Sequence, residues 1–203
     1  LADMAALTFA MESTTYLVAG LIDKEQEDVM LESALLKVFS SEALWIIIYE
    51  TMQIYGGRSF FTDRPFERIM RDARLNMIGE GSNEVLRAFI SAVGLRELGM
   101  PLKKAIKTLI WHPIQSGSTL LEGLQNYLGM TKRSDIPNSV PLIQNECDRL
   151  ALLLPRFSQK ALKAVTRDKE EVVEKQLLLD KLTECAIAFF TSFAVISRVN
   201  SPQ

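Results

Sequence analysis

Apolar residues recur every three or four positions along most of this chain and almost nowhere alternate, which predicts helices rather than strands. Over residues 1–23 the spacing puts Leu1, Met4, Ala5, Thr8, Met11, Thr15, Val18 and Ala19 on one face of an amphipathic helix. Gly20 and the charged run Asp23-Lys24-Glu25 mark its end. A second helix is predicted from about Glu27 to Tyr55, with Val29, Leu36 and Ala43 seven apart and Ser33, Ser40 and Ile47 beside them. Its small residues, Ser33, Ala34, Ser40, Ser41 and Ala43, suit close approach of a neighbouring helix. The run IIIY at 46–49 sits inside this helical pattern, and Gly56-Gly57 stops it as a C-cap.

Residues 58–64 read as a loop in which Thr62 or Asp63 can cap a short, charged helix, PFERIMRDARLNMI, with Pro65 in its first turn. Gly79 and Gly81 bracket Glu80, and Ser82 is an N-cap for a helix that buries Val85, Phe89, Val93 and Leu95 or Leu98 and ends near Gly99-Met100-Pro101. Glycines and prolines then make 112–141 mostly loop and short helix. Two more helices are predicted at about 142–168 and 169–198, the last apolar at Val172, Val173, Leu177, Leu182, Ala186, Phe189, Phe190, Phe193 and Ile196. The fold class is all-α: an antiparallel helical bundle over residues 1–100, followed by an additional helical segment over 101–203.

Composition narrows the functional classes. With 203 residues, 48% of them hydrophobic, the chain can build one substantial core or two small ones. A net charge of −2, with no basic stripe or tail, points away from nucleic acid. The single histidine, His112, excludes most histidine-based triads and His-rich metal sites; it precedes Pro113 and reads as a helix-end or loop residue. Cys147 and Cys185 form no CxxC pair, which fits a reducing compartment, and Cys185 lies in an apolar run as an expected buried thiol. No uninterrupted apolar run reaches about 18 residues, so no spanning helix is expected. The chain shows no signal-peptide pattern and starts without Met inside a helical pattern, as expected of a piece of a longer protein.

Three features carry candidate chemistry. Glu80 lies between two glycines, which let backbone approach a ligand closely, and just before a helix whose N–H groups form an anion- or carbonyl-binding end. A carboxylate beside such donors can remove a proton next to a carbonyl. Gly56-Gly57 alone says nothing of phosphates. Arg68, Arg71, Asp72 and Arg74 form either a solvated face or an ion-pair cluster at an interface.

Taken in order, QIYGGRSFFTDRPFERIMRDARLNMIGEGSNEVLR resembles the C-terminal signature of acyl-CoA dehydrogenases, with their Q-I-x-G-G turn, E-[RK]-x-x-R-D helix and E-G-[TS] element. LADMAALTFAMESTTYLVAG with LLKVFSSEAL is similar to the helix pair before that signature, and EEVVEKQLLLDKLTECAIAFFTSFAVISR resembles the extra helical domain of the very-long-chain subgroup. The resemblance implies that Glu80 is the base taking the α-proton of an acyl-CoA thioester, its backbone N–H helping to polarise the carbonyl, and that Gly81 touches substrate. It implies that Ser82, Asn83 and Glu84 contact FAD, and that Gln53, Gly56 and Gly57 reach the FAD of a neighbouring subunit in a homodimer. The β-hydrogen would leave as hydride to flavin, with electrons passing to an electron-transfer flavoprotein. Ser59 stands where the family turn has its third glycine, and Gly79 where an aromatic residue is common. The family's N-terminal helical and middle β-domains have no counterpart in these 203 residues, so this piece by itself is not expected to hold FAD well or turn over.

Residues 102–128 combine Lys103, Lys104 and Lys107 with Ile106, Leu109, Ile110, Trp111 and Leu120, which suits either an interfacial helix making peripheral membrane contact or a helix packed on the bundle. The compartment implied is bacterial cytoplasm, or the mitochondrial matrix or inner-membrane surface. The competing reading is a helical scaffold for partner or membrane docking with a vestigial site.

Overall fold

A computed structural model describes residues 1–96, 135–137 and 140–201. Among these the chain is helical, without a strand: α1 (Ala2–Asp23), α2 (Met30–Tyr55), a 3-10 turn (Gly56–Ser59), α3 (Phe66–Asn76), α4 (83–96), α5 (Gln144–Asp168) and α6 (Gln176–Asn200). The all-α expectation therefore holds. Residues 102–128, His112 and the expected end of α4 near Gly99 lie outside the described residues.

Contacts divide the chain into two compact units, residues 1–90 with 186–201, and residues 91–185. In the first, α2 packs against α1 and α3. Its residues Ala34, Leu35 and Val38 are buried with Ile90 of α4 and Ile187 of α6. A helix apolar around most of its circumference belongs in the middle of a bundle. The start of α2 is Met30 rather than Glu27, because the Asp28 side chain accepts the Met30 N–H at 2.9 Å and ends the preceding turn there.

The inward face of α1 differs from the expected one. Ser13, Thr14 and Val18 are buried, whereas Ala5, Thr8, Thr15 and Ala19 are exposed. Hydroxyls make this possible: Ser13 donates to the Phe9 carbonyl at 2.6 Å and Thr14 to Ala10 at 3.0 Å, so neither brings an unsatisfied group into the core.

The second unit has its own core of Leu95, Ala161, Ala164, Val172 and Leu179. Small residues of α5 let neighbouring backbone come close. Two expectations fail in the terminal helices. Cys185 is exposed, and it is Cys147 that is buried, its thiol pKa pushed up by that burial. Apolar neighbours in sequence do not decide which side of a helix a residue occupies. The 169–198 segment also opens with a 3-10 turn (Lys169–Glu174), and its Leu177 is 86% exposed. Both α1 and α6 are long and apolar enough to cross a membrane by length and composition alone, with mean hydropathy 1.3 and 1.5 over 18 residues, which the uninterrupted-run criterion does not register. Core helices pass the same test.

Candidate functional site

The candidate site is built on the turn between α3 and α4. As α3 unwinds, Ile78 and Gly79 both donate to the Leu75 carbonyl, at 2.9 and 2.8 Å. Glu80 then takes φ +54° and Gly81 φ +94°. A left-handed glutamate costs roughly 1–2 kcal/mol against the right-handed form. Such an outlier persists only where surrounding structure holds it. Gly81 favours glycine because its φ strains any side chain; a Cβ there would also stand 3.4 Å from the Leu86 side chain. Asn83 closes the turn, its N–H donating to the Met77 carbonyl at 3.0 Å.

Ser82 is the N-cap, as expected: its carbonyl accepts the Leu86 N–H at 2.9 Å and its hydroxyl the Val85 N–H at a long 3.5 Å. The start of α4 is nonetheless not the open cluster of donors expected from sequence. The Asn83 and Val85 amides are taken within the turn, and Glu84 bonds its own backbone N–H. That bond, followed by the Ser82 hydroxyl, holds the Glu84 carboxyl below the usual carboxylate range. Among the described residues the N–H groups of Glu80, Gly81 and the N-cap Ser82 make no hydrogen bond, so the free donors run from the base to the cap. The Glu80 carboxylate is exposed and likewise makes no hydrogen bond or ion pair among the described residues. Val85, expected inside, is 64% exposed, because the cap turns the first residues of α4 outward.

Sequence reasoning missed what anchors the turn. Lys37 of α2 donates to the Gly81 carbonyl at 2.7 Å and to Asn83 Oδ1 at 2.8 Å. Asn83 Nδ2 donates to Ser41 Oγ at 2.9 Å and reaches Glu42 Oε1 at 3.4 Å. The Asn83 side chain is thus buried against α2. Burial pushes the Lys37 pKa down, while Glu84 and Glu42 oppose that. The missed signal was a lone lysine in the otherwise apolar and small run ALLKVFSS, one turn before Ser41.

The second group of candidates lies elsewhere. Gly56 ends α2 at φ +61°, and neither it nor Gly57 has any atom within 4 Å of where a Cβ would stand. Gln53 is exposed beside them. Ser59 keeps the turn intact without the third glycine: it is buried, and its hydroxyl donates to the Gly56 carbonyl at 2.7 Å and reaches Met52 O at 3.0 Å, where α2 leaves carbonyls unpaired. The run of α2 from Lys37 to Gly56 covers about 28 Å. Glu80 through Glu84 therefore form one cluster, and Gln53, Gly56 and Gly57 another.

Between them α3 presents a solvated charged face. Arg71 pairs with Glu67 one turn away, Nε to Oε2 at 3.0 Å, and the Arg74 guanidinium lies 5.9 Å from the Trp45 ring centre. The Thr62 or Asp63 cap does not form; Pro65 occupies the N-cap position, with no side-chain cap bond.

The geometry defines a helical domain that displays one free carboxylate on a strained, anchored turn. Residues 1–95 match the family model for the acyl-CoA dehydrogenase C-terminal domain. The chain is 29% identical, over 98% of its length, to the very long-chain specific acyl-CoA dehydrogenase of Bos taurus. It is 30% identical, over 84%, to a probable acyl-CoA dehydrogenase of Bacillus subtilis. A solved acyl-CoA dehydrogenase from Bacillus anthracis, complexed with FAD, superposes over 98% of the chain with a TM-score of 0.69 at 24% identity, which speaks to the fold. Over residues 1–95 the chain is similar throughout to the acyl-CoA dehydrogenase C-terminal domain family. It spans about a third of the length of these relatives, 31%, 30% and 35% respectively.

Proposed function

We propose that this chain is the part of an FAD-dependent acyl-CoA dehydrogenase that supplies the catalytic base, in the oxidation of a fatty acyl-CoA to its trans-2-enoyl-CoA. The observation that carries the reading is Glu80: exposed, free of partners, and held at positive φ in an anchored turn. A carboxylate in that position can take the α-proton of a thioester. The α-C–H is a far weaker acid than a carboxylic acid, so transfer needs stabilisation of the developing enolate oxygen. The unpartnered N–H of Glu80 supplies a donor on the base residue itself. Gly81, exposed and with its N–H unpartnered, would meet the acyl-CoA through backbone.

The open backbone at Gly56 and Gly57 fits close approach of a flavin nucleotide, with Gln53 beside it. Bound FAD would accept the β-hydride and deliver electrons to an electron-transfer flavoprotein. The first turn of α4, Ser82 to Glu84, would meet the flavin nearer the base, through backbone and the Ser82 hydroxyl. The 28 Å between the two clusters supports a homodimer in which the Gly56-Gly57 turn of one subunit serves the flavin of the other.

The test is Glu80→Gln in the full-length, FAD-loaded protein. Bleaching of the flavin by long-chain acyl-CoA should fall by about 10³-fold or more, within the range of general-base catalysis, with FAD still bound. Bleaching at the parent rate overturns the assignment and favours a helical docking scaffold.

A further inference from the structure

We infer that Lys37 is a positioning residue for the Glu80 turn, holding the base in place from α2; the inference rests on the reading of Glu80 as the base. A lysine ammonium has three N–H donors and no acceptor. Two are spent on the turn, one on the Gly81 carbonyl at 2.7 Å and one on Asn83 Oδ1 at 2.8 Å. Both bonds are charge-assisted and therefore stronger than the neutral amide bonds around them. Ser41, one helical turn further along the same face of α2, takes the other end of the Asn83 amide at 2.9 Å.

The two contacts act on the residues that flank Glu80. The Gly81 carbonyl, turned toward α2 by φ +94°, is fixed by Lys37 itself. Asn83 is fixed through its side chain, and its N–H in turn fixes the Met77 carbonyl at 3.0 Å. With Gly79 bonded to Leu75 at 2.8 Å, the stretch from 79 to 83 is tied at both ends and at its middle carbonyl. The donors left unbonded in this stretch are the N–H groups of Glu80, Gly81 and Ser82, and the Glu80 carboxylate is likewise unpartnered among the described residues. Without Lys37 the middle tie is lost. Glu80 can then relax toward the right-handed region, which carries its carboxylate and N–H away from a common target. Lys37 touches no reacting atom in this scheme; it acts through Gly81 and Asn83.

The experiment compares Lys37→Met, Lys37→Arg and Glu80→Gln in the full-length, FAD-loaded protein. In Lys37→Met, backbone amide exchange over residues 77–86, measured without substrate, should quicken by about tenfold as the turn opens locally. Single-turnover bleaching at saturating acyl-CoA, counted per bound flavin, should drop about 10–100-fold, the scale of a small misplacement of a catalytic group. Half-saturation, FAD content and thermal midpoint should stay near the parent's, which separates positioning from general structural support. Lys37→Arg, which keeps charged donors, should recover part of the rate. If Lys37→Met fails to fold, Ser41→Ala, which frees the far end of the Asn83 amide, should move exchange and bleaching in the same directions by smaller factors. Parent-like exchange and parent-like bleaching per bound flavin in Lys37→Met overturn the inference, as does a rate per bound flavin that is unchanged while FAD or stability is lost. Normal bleaching in Glu80→Gln would instead overturn the reading of the base, while the exchange result still judges the anchor.

Discussion

The two compact units use buried polar groups in opposite ways. In the first, Lys37, Ser41 and Asn83 converge on a turn and leave one carboxylate, Glu80, outside the network. In the second, the networks close on themselves. Asp168, its side chain 5% exposed, takes Arg167 at 2.8 Å and Lys175 at 2.7 Å. Ser91 and Thr183 bond each other, and Ser91 meets the Leu179 carbonyl. A carboxylate held by two cations is fixed in its charged form and has little left to offer a ligand. A carboxylate on a strained turn with no partner is destabilised in place and available. The contrast separates polar residues that hold a fold from those that a fold holds in readiness, and burial or charge alone does not make that distinction.

The sharpest way to break the comparison is to replace Glu80 by glycine. Glycine adopts φ +54° without the penalty of a side chain, so Glu80→Gly should leave the full-length protein as stable as the parent or more stable by about 1 kcal/mol, while bleaching by acyl-CoA falls about 10³-fold. Thermal unfolding beside single-turnover bleaching checks both. A clear loss of stability would place Glu80 with Asp168 among structural carboxylates. Next in size, Gly81→Ala should destabilise by about 1–3 kcal/mol, because φ +94° strains any side chain and the added methyl meets Leu86. A neutral result in denaturant titration would show the turn to be plastic rather than anchored.

Much of the first unit was readable in the sequence because its signals are local. Gly56 ends α2 where a C-cap was expected, Ser82 caps α4, and the order from Gly56-Gly57 through Arg71-Asp72 to Glu80 carried the family resemblance. What stayed hidden depends on partners far away in sequence. Lys37 is 44 positions before Gly81, and only folding shows that it belongs to the turn. The inward face of α1 was misread because Thr14 satisfies its hydroxyl within its own helix, so a polar residue went inside and Thr15 did not. Cys185 was misread for the converse reason: an apolar neighbourhood surrounds both faces of α6, and sequence alone does not say which is covered. Of the donors expected at the helix start, the turn consumes the Asn83 and Val85 amides itself, while those of Glu80, Gly81 and Ser82 stay free among the described residues.

The closed network of the second unit carries a pH signature. The hydrogen bonds from Arg167 and then Lys175 hold the Asp168 carboxyl well below the usual carboxylate range. A carboxyl depressed on folding contributes its full stabilisation above its unfolded value, about 3.9, and loses it as pH falls from there toward the folded value. The thermal midpoint should therefore be insensitive to Asp168 chemistry near neutrality and fall on acidification below about pH 4. Asp168→Asn should lower the midpoint at pH 7, where it leaves two cations without their anion, and flatten the acid limb. A limb as steep as the parent's would mean that other carboxyls govern it.

The smallest effect tests whether the Gly56 turn is organised by its own hydroxyl. Ser59 is buried, and its Oγ serves the carbonyls of Met52 and Gly56 where α2 ends. Ser59→Gly restores the residue that relatives of the signature carry, but removes that hydroxyl and frees the backbone in the unfolded chain. The two losses act in the same direction, one carbonyl partner worth about 1 kcal/mol and a gain in unfolded-state entropy of similar size. Between 150 and 250 residues, each kcal/mol shifts a midpoint by about 2–4 °C. A drop of a few degrees, unaffected by pH between 5 and 8, is the expected outcome, since no titrating group takes part. A rise in midpoint would show that the turn prefers a glycine-type path at position 59, and that the serine hydroxyl fills a turn it does not shape.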